Sequence, residues 1–140
     1  MIVTKTIQVQ TMGNTDIIDI TPPVETILTD AGLNEGTVTV FVAHSTAGIA
    51  VMEFEPGLIA DFKAYWERTI PRNLPYKHDA GLGEGNGHAH VRASVLGPSV
   101  TIPFADRRLA TGTWQQIVLV DFDNRRRTRQ IVVQVMGETA

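Results

Sequence analysis

The chain has 140 residues, 43% of them hydrophobic and 19% charged, with a net charge of −3 and no cysteine. That length suits one domain over residues 1–140 with a core of its own, the composition argues against disorder, and the missing cysteine excludes disulfide and thiolate chemistry, so any metal falls to His and carboxylate. No apolar run approaches the ~20 residues of a bilayer span, and "MIVTKTIQVQ" lacks the basic-then-apolar order of a cleaved signal, so the expectation is a cytoplasmic protein that contacts neither membrane nor nucleic acid.

Residues 2–11 alternate, with Val3, Ile7 and Val9 on one side and Thr4, Thr6, Gln8 and Gln10 on the other, which predicts a half-buried strand. Gly13-Asn14 turns the chain into a short strand, "DIIDI". Thr21 as N-cap, Pro22-Pro23 in the first turn and Gly32 as terminator then frame a helix. "GTVTVFVAH" sets Val38, Val40, Val42 and His44 on one face of a strand, "STAG" turns, and "IAVME" reads as another strand. From Pro56 to Ile70, the stripe Leu58, Ile59, Phe62, Tyr65, Trp66 and Thr69 predicts a second helix. A long polar loop, "PRNLPYKHDAGLGEGNG", leads to four strand-like runs: "HAHVRASVLG", "SVTIPF", "WQQIVLVDF" and "RQIVVQVMG". Two main helices and a final run of strands predict an α+β fold with mixed, largely antiparallel sheets.

Charge divides unevenly. Residues 1–61 carry one base and eight acids, and the remainder eleven bases and seven acids, so the two halves would either neutralise each other on folding or place a basic pocket wall, suited to a phosphorylated ligand, in the second half. The run "DNRRRTRQ" lacks interleaved aromatics and reads as a solvated or subunit-contacting turn rather than a nucleic-acid contact.

Two of the four histidines sit one residue apart. On a strand His88 and His90 would share a face, ~7 Å apart, close enough to hold one ion or simply to form a polar outer face. His44 extends the Val38-Val40-Val42 face and needs a polar partner at the mouth of the core. Ser45 and Thr46 follow it in a small-residue turn able to hold an anion, and His78 stands beside Asp79, either a carboxylate that orients the ring or a turn residue. Arg92 would share the face of His90 and could bind phosphate or form a surface ion pair.

The stretches "AHSTAGIAVMEFEPG", "YKHDAGLGEGNGHAHVRASVLGPS" and "TGTWQQI", in that order, resemble the YjbQ family, an uncharacterised family also called secondary thiamine-phosphate synthases. The resemblance implies an α+β fold that forms a trimer through packed sheets. It places the family histidines on His44, His78 and His90, an acid on Glu53, and the G-T-W-Q run on Gly112 to Gln115. His88 is then a supporting or alternative ligand. The family pattern has glycine where this chain has Arg107, which predicts a different turn type.

Three neutral imidazoles with an open position form a catalytic-type site, favouring zinc by ligand type, with Mg²⁺ the alternative for diphosphate chemistry. Glu53, His44 and Asp79 are the candidate catalytic residues. Ser45, Thr46, Asn86, Arg92 and Gln115 are the candidate substrate contacts, and His44, His78, His90 and His88 the candidate ligands. Glu53 could equally be a surface charge, and Trp114 a core or trimer-interface residue. The leading expectation is a homotrimeric metal-site enzyme acting on a phosphorylated or heterocyclic small molecule. Thiamine-phosphate synthesis, joining a pyrimidine diphosphate to a thiazole phosphate, is the activity the resemblance implies. The competing expectations are a metal-dependent hydrolase and a non-catalytic metal- or metabolite-binding module.

Overall fold

Strands of two-residue alternation supply most of the architecture. The computed structural model describes residues 1–81 and 83–140. In chain order the elements are β1 (Ile2–Thr11), β2 (Asp16–Asp19), α1 (Thr21–Ala31), β3 (Glu35–Val42), β4 (Ala47–Met52), α2 (Pro56–Thr69), α3 (Lys77–Gly81), α4 (Gly87–Leu96), β5 (Ser99–Ala105), β6 (Arg108–Leu109), β7 (Gln116–Asp121) and β8 (Arg127–Glu138). The fold is α+β, with four helices among the described residues where the sequence predicted two main ones.

A five-stranded sheet runs β1-β8-β3-β5-β6 and a three-stranded sheet runs β2-β7-β4, with every pairing antiparallel. The inward rows of the larger sheet, Val38-Val40-Val42 and Ile131-Val133-Val135, pack against Ile49, Ile117 and Leu119 of the smaller one, with Val24 and Leu28 of α1 beside them. The far face of the smaller sheet packs Val118 and Val120, with Phe122 just past β7, on Trp66 of α2 and on Ala89 and Ala93 of α4. Strand β7 is therefore covered on both faces, which explains why "IVLV" is continuously apolar rather than alternating. The result is a sheet–sheet–helix arrangement with β7 at its centre.

Helix α1 starts by a different device from the predicted one. Thr21 lies inside the helix, and Asp19 Oδ1 accepts its backbone N–H. The Thr21 hydroxyl instead bonds the backbone of Ile117, fastening α1 to β7. Gly32 closes α1 at φ 70°, as expected for a left-handed terminator. The carboxylate of Glu55 caps α2 by accepting from the N–H groups of Gly57 and Leu58.

The principal correction concerns residues 87–96, which form α4 and not a strand. Ala89, Ala93 and Leu96 recur at i, i+4 and i+7 and place one stripe against the β7 side of the small sheet. Asp79 accepts the N–H of Gly87 at the first turn, and Gly97 at φ 98° ends the last. In a helix, positions two apart point nearly opposite ways, so His88 and His90 part company. The turn at Arg107 also departs from expectation. Asp106 and Arg107 both hold left-handed φ, 51° and 63°, so this chain keeps the turn that favours glycine and carries the local cost on an arginine.

Candidate functional site

Three segments distant in sequence meet at one end of the small sheet. The β3–β4 turn brings His44, Ser45 and Thr46, the start of α4 and the residues before it bring Glu84, Asn86 and His90, and the β7–β8 hairpin brings Asp123, Arg127 and Arg129. Together they line an open pocket of about 320 Å³.

His44 sits where the β3–β8 ladder ends. The last backbone pair is Val42 with Ile131, and the next N–H, that of Gln130, donates to His44 Nε2 at 2.9 Å. The imidazole thus continues the ladder in place of a carbonyl. Its Nε2 lone pair is occupied, so the neutral ring carries its proton on Nδ1. Burial, followed by the charge of Arg129, lowers its pKa, against the pull of Asp121.

A buried ion-pair network forms the floor. Arg129, whose side chain is 4% exposed, donates Nε and Nη2 to the two oxygens of Asp121 at 2.7 and 2.8 Å. Asp121 also accepts the Thr11 hydroxyl and the N–H of Asp123. Asp123 accepts from the Thr46 hydroxyl, Asn86 Nδ2, the Asn124 N–H and Arg127 Nε. Burial alone would raise the Asp123 pKa, but these donors and the Arg127 charge outweigh it and hold the carboxyl below its ordinary range. The arginine run is therefore not simply a solvated turn: Arg127 and Arg129 fold back onto two buried acids. Sequence reading passed over Asp121 and Asp123. Their signal is D-x-D and R-x-R on opposite sides of a hairpin turn, a pattern that sets both pairs on one face.

On the opposite wall His90 stacks on His78 of α3, with ring centroids 4.4 Å apart and a 39° tilt. Burial, followed by the charge of His78, lowers the His90 pKa below its ordinary 6.5, and Asp123, Glu84 and Asp79 only partly offset this. His90 is thus neutral at pH 7, as a general base requires. Linkage follows: the unfolded chain takes up a proton near pH 6.5 that the folded chain resists. The stability contribution is present above that pH and is lost as pH falls through the folded-state value. In an imidazole-detected NMR titration, His90 should titrate below 6.5, and His78→Ala should move it upward. An unchanged His90 midpoint in that variant would separate the two rings electrically.

The other expected residues lie elsewhere. His88 is 2% exposed and faces inward beside Tyr76, its ring centroid 6.4 Å from the phenol's, with Nδ1 unpartnered among the described residues. Arg92 is also turned inward, donating to the Ile70 carbonyl, the Thr15 hydroxyl and Glu67, so it does not share a pocket face with His90. Asp79 lies 3.6 Å from His78 Nδ1 while capping α4 through Gly87. Glu53 follows β4 at the end away from His44, ~17 Å along the strand, where a separate surface depression also takes in Trp114 and Gln116. Gln115 accepts the N–H of Gly112 in that same region. Trp114 is 71% exposed and contributes nothing to the core.

These placements do not fit the expected three-histidine metal centre. Among the described residues no group of three His, Asp or Glu side chains is disposed to hold a metal ion. The donor chemistry gives the reason: of the expected trio His44, His78 and His90, His44 has committed to Gln130 the lone pair a metal would take, and the supporting ligand His88 is buried beside Tyr76.

The fold, and about a third of the sequence, recur in known proteins. The family model described as "UPF0047 protein YjbQ-like" matches residues 5–138. This chain belongs to the YjbQ/UPF0047 family. A UPF0047 protein from Archaeoglobus fulgidus is 36% identical over 91% of this chain and 96% of its own. YugU of Bacillus subtilis is 34% identical over 95% and 98%. Among solved structures, a YbjQ-like protein of unknown function from Sulfolobus solfataricus superposes with a TM-score of 0.94 at 36% identity, covering 99% of each chain. A hypothetical protein from Aeropyrum pernix gives 0.90 at 34% identity, covering 97% of this chain and 99% of its own. No described helix of this YjbQ-family chain is long and apolar enough to cross a membrane.

Proposed function

We propose that this YjbQ-family protein is an enzyme that binds a small phosphorylated molecule in the pocket between His44, His90 and Arg127 and moves a proton through His90. The observation that carries this reading is the meeting of a neutral, half-buried imidazole with a turn hydroxyl and guanidinium groups in one cavity, assembled from three distant segments. Ser45 and the free N–H groups of Arg127 offer donors to phosphate oxygens, and His90 supplies the base, with His78 beside it able to share the proton. Thiamine-phosphate synthesis is the specific reaction within this reading. There the thiazole nitrogen would form the new carbon–nitrogen bond as the carbon–oxygen bond to pyrophosphate breaks. That nitrogen carries no proton, so His90 would act on an amine of the pyrimidine, taking its proton as pyrophosphate leaves and returning it once the bond has formed. The pocket volume, at the low end for ligand sites, suits one phosphorylated heterocycle more readily than two held together. No step is assigned to a metal, because the histidines do not fit one.

The test is to incubate the protein with a pyrimidine diphosphate and a thiazole phosphate and follow pyrophosphate release. His90→Ala should lower the rate ~100-fold or more, and Trp114→Ala, at the remote depression, should leave it unchanged. Equal rates in wild type and His90→Ala would remove the proposal.

We further propose that the chain works as a homotrimer. The outward face of the larger sheet supports this: its central rows Thr4-Gln134-Thr39-Thr101 and Thr6-Val132-Phe41-Ser99 contain no charge, the carboxylates Glu35 and Glu138 lying at one end, and an uncharged centre suits burial against another copy. Light scattering should give three times the chain mass of 15.3 kDa. A single chain mass at micromolar concentration would rule the trimer out.

A further inference from the structure

The two-residue turn between β5 and β6 holds Asp106 and Arg107 at positive φ, 51° and 63°. Asparagine and glycine enter that conformation readily, whereas arginine meets a clash between its Cβ and the following carbonyl. A solvated surface charge could stand at neighbouring positions free of that penalty. The position therefore asks what the arginine does there.

Arg107 and Arg108 from this hairpin, and Glu25, Leu28 and Thr29 from α1, line a cavity of about 330 Å³. Glu25, Leu28 and Thr29 are spaced i, i+3 and i+4 and so share one helix face. Leu28 and Leu109 pack with the core and give the cavity an apolar base. Arg107, Arg108, Glu25 and Thr29 are all exposed, so their polar groups are open to a molecule that enters. The arginine ion pairs among the described residues belong to Arg92, Arg127 and Arg129, and Glu25 enters none. Two cations and one anion thus border the cavity without neutralising one another. The place is distinct from the His44 pocket. The Arg107 N–H donates to the carbonyl of Asn34, before β3 begins, whereas His44 follows the end of β3, ~30 Å along the strand.

We propose that this cavity is a second ligand site, which takes a small aminoalkyl phosphate monoester. The guanidinium groups of Arg107 and Arg108 hold the phosphate dianion, and the carboxylate of Glu25 meets the ammonium group. The short carbon chain between them lies over Leu28 and Leu109. Charge matching selects the class: a plain anion leaves Glu25 without a partner, and a plain cation leaves both arginines without one. The backbone penalty at Arg107 is then local strain of the kind that ligand sites retain.

The experiment is an amide NMR titration of the full chain with O-phosphoethanolamine, with its isostere propyl phosphate, and with inorganic phosphate. Amide shifts at Thr29, Arg107 and Leu109 report this cavity. Those at Ser45 and Asn124 report the His44 pocket separately, so either site can fail alone. In wild type the first set should move, and O-phosphoethanolamine should bind ~2–5-fold more tightly than propyl phosphate, the scale of one exposed ion pair. Glu25→Gln should bring that ratio to about one. Arg107→Gly suits the turn, so it should raise the thermal midpoint by a few degrees while weakening binding ~10-fold or more. An arginine with a merely structural role would not move those two readings in opposite directions. No shift at the first set of amides with any of the three compounds overturns the inference, as does Arg107→Gly binding like wild type. Equal affinity of wild type for the two esters overturns the assigned ligand class.

Discussion

Asp121→Ala is expected to destabilise the protein by about 3–5 kcal/mol, because it strips the partner from a buried guanidinium. Asp121 is fully buried and Arg129 nearly so, and the two are joined by a bidentate pair at 2.7 and 2.8 Å. Such a pair contributes little net stability over a well-packed apolar isostere, but removing one member leaves a desolvated charge without compensation. Set against a total of about 5–15 kcal/mol for a typical domain, the loss should lower the thermal midpoint by ~10–20 °C. Urea denaturation measures it directly. The damage should also reach the pocket, since Arg129 holds Thr46 and lies among the charges that keep His44 neutral. A loss under ~1 kcal/mol would mean that the network is wetter and looser than the geometry implies. Substitution at the exposed Arg125 is the contrast, with an expected effect within ~0.5 kcal/mol.

Phe122→Ala should cost a similar ~3–5 kcal/mol by a different mechanism, a cavity in an apolar contact. Phe122 is fully buried, and its ring meets Trp66 edge-on with centroids 4.9 Å apart. Trp66 is the one fully buried side chain of α2, so the pair anchors that helix to the small sheet. The truncated protein should lose stability and also become cleavable first within α2, which limited proteolysis would detect. Phe122→Leu, which keeps most of the volume, should cost below ~1.5 kcal/mol. If Phe122→Ala and Phe122→Leu were equally mild, α2 would be held by something other than this contact.

These two residues are adjacent, and their neighbour Asp123 completes the pattern. Asp121 and Asp123 turn to the polar network while Phe122 turns to the helices. From the sequence, "VDFD" gave a strand end and nothing more, because alternation states that neighbours face opposite ways without saying what each will meet. The arginines at 127 and 129 were visible as charge. That they would be spent on buried acids depends on a hairpin closing over them.

The fate of the histidine pair shows the same limit from another side. "HAHVRASVLG" alternates closely enough to pass for a strand, yet Ala89, Ala93 and Leu96 also satisfy a helical stripe. In so short a run both periods fit. The neighbouring elements decide between them: Asp79 caps the first turn, and a groove beside β4 and β7 takes the alanine face. Once the segment is helical, His90 enters the pocket and His88 enters the interior, so those two rings do not close on one ion.

What the amino-acid sequence determined alone was local and periodic: β1 over its whole length, the inward Val38-Val40-Val42 row, α2, the terminating role of Gly32, and the family, through motifs spread along the chain. Only the tertiary structure decided that His44 would complete a strand ladder, that His90 would stack on His78, and that Asn86 would donate to the buried Asp123. The reason is one of range. Periodicity and caps act over three to seven residues, whereas the contacts that close the pocket, Thr46 with Asp123, Asn86 with Asp123 and Gln130 with His44, join groups many residues apart, which meet only when the sheets and helices have packed.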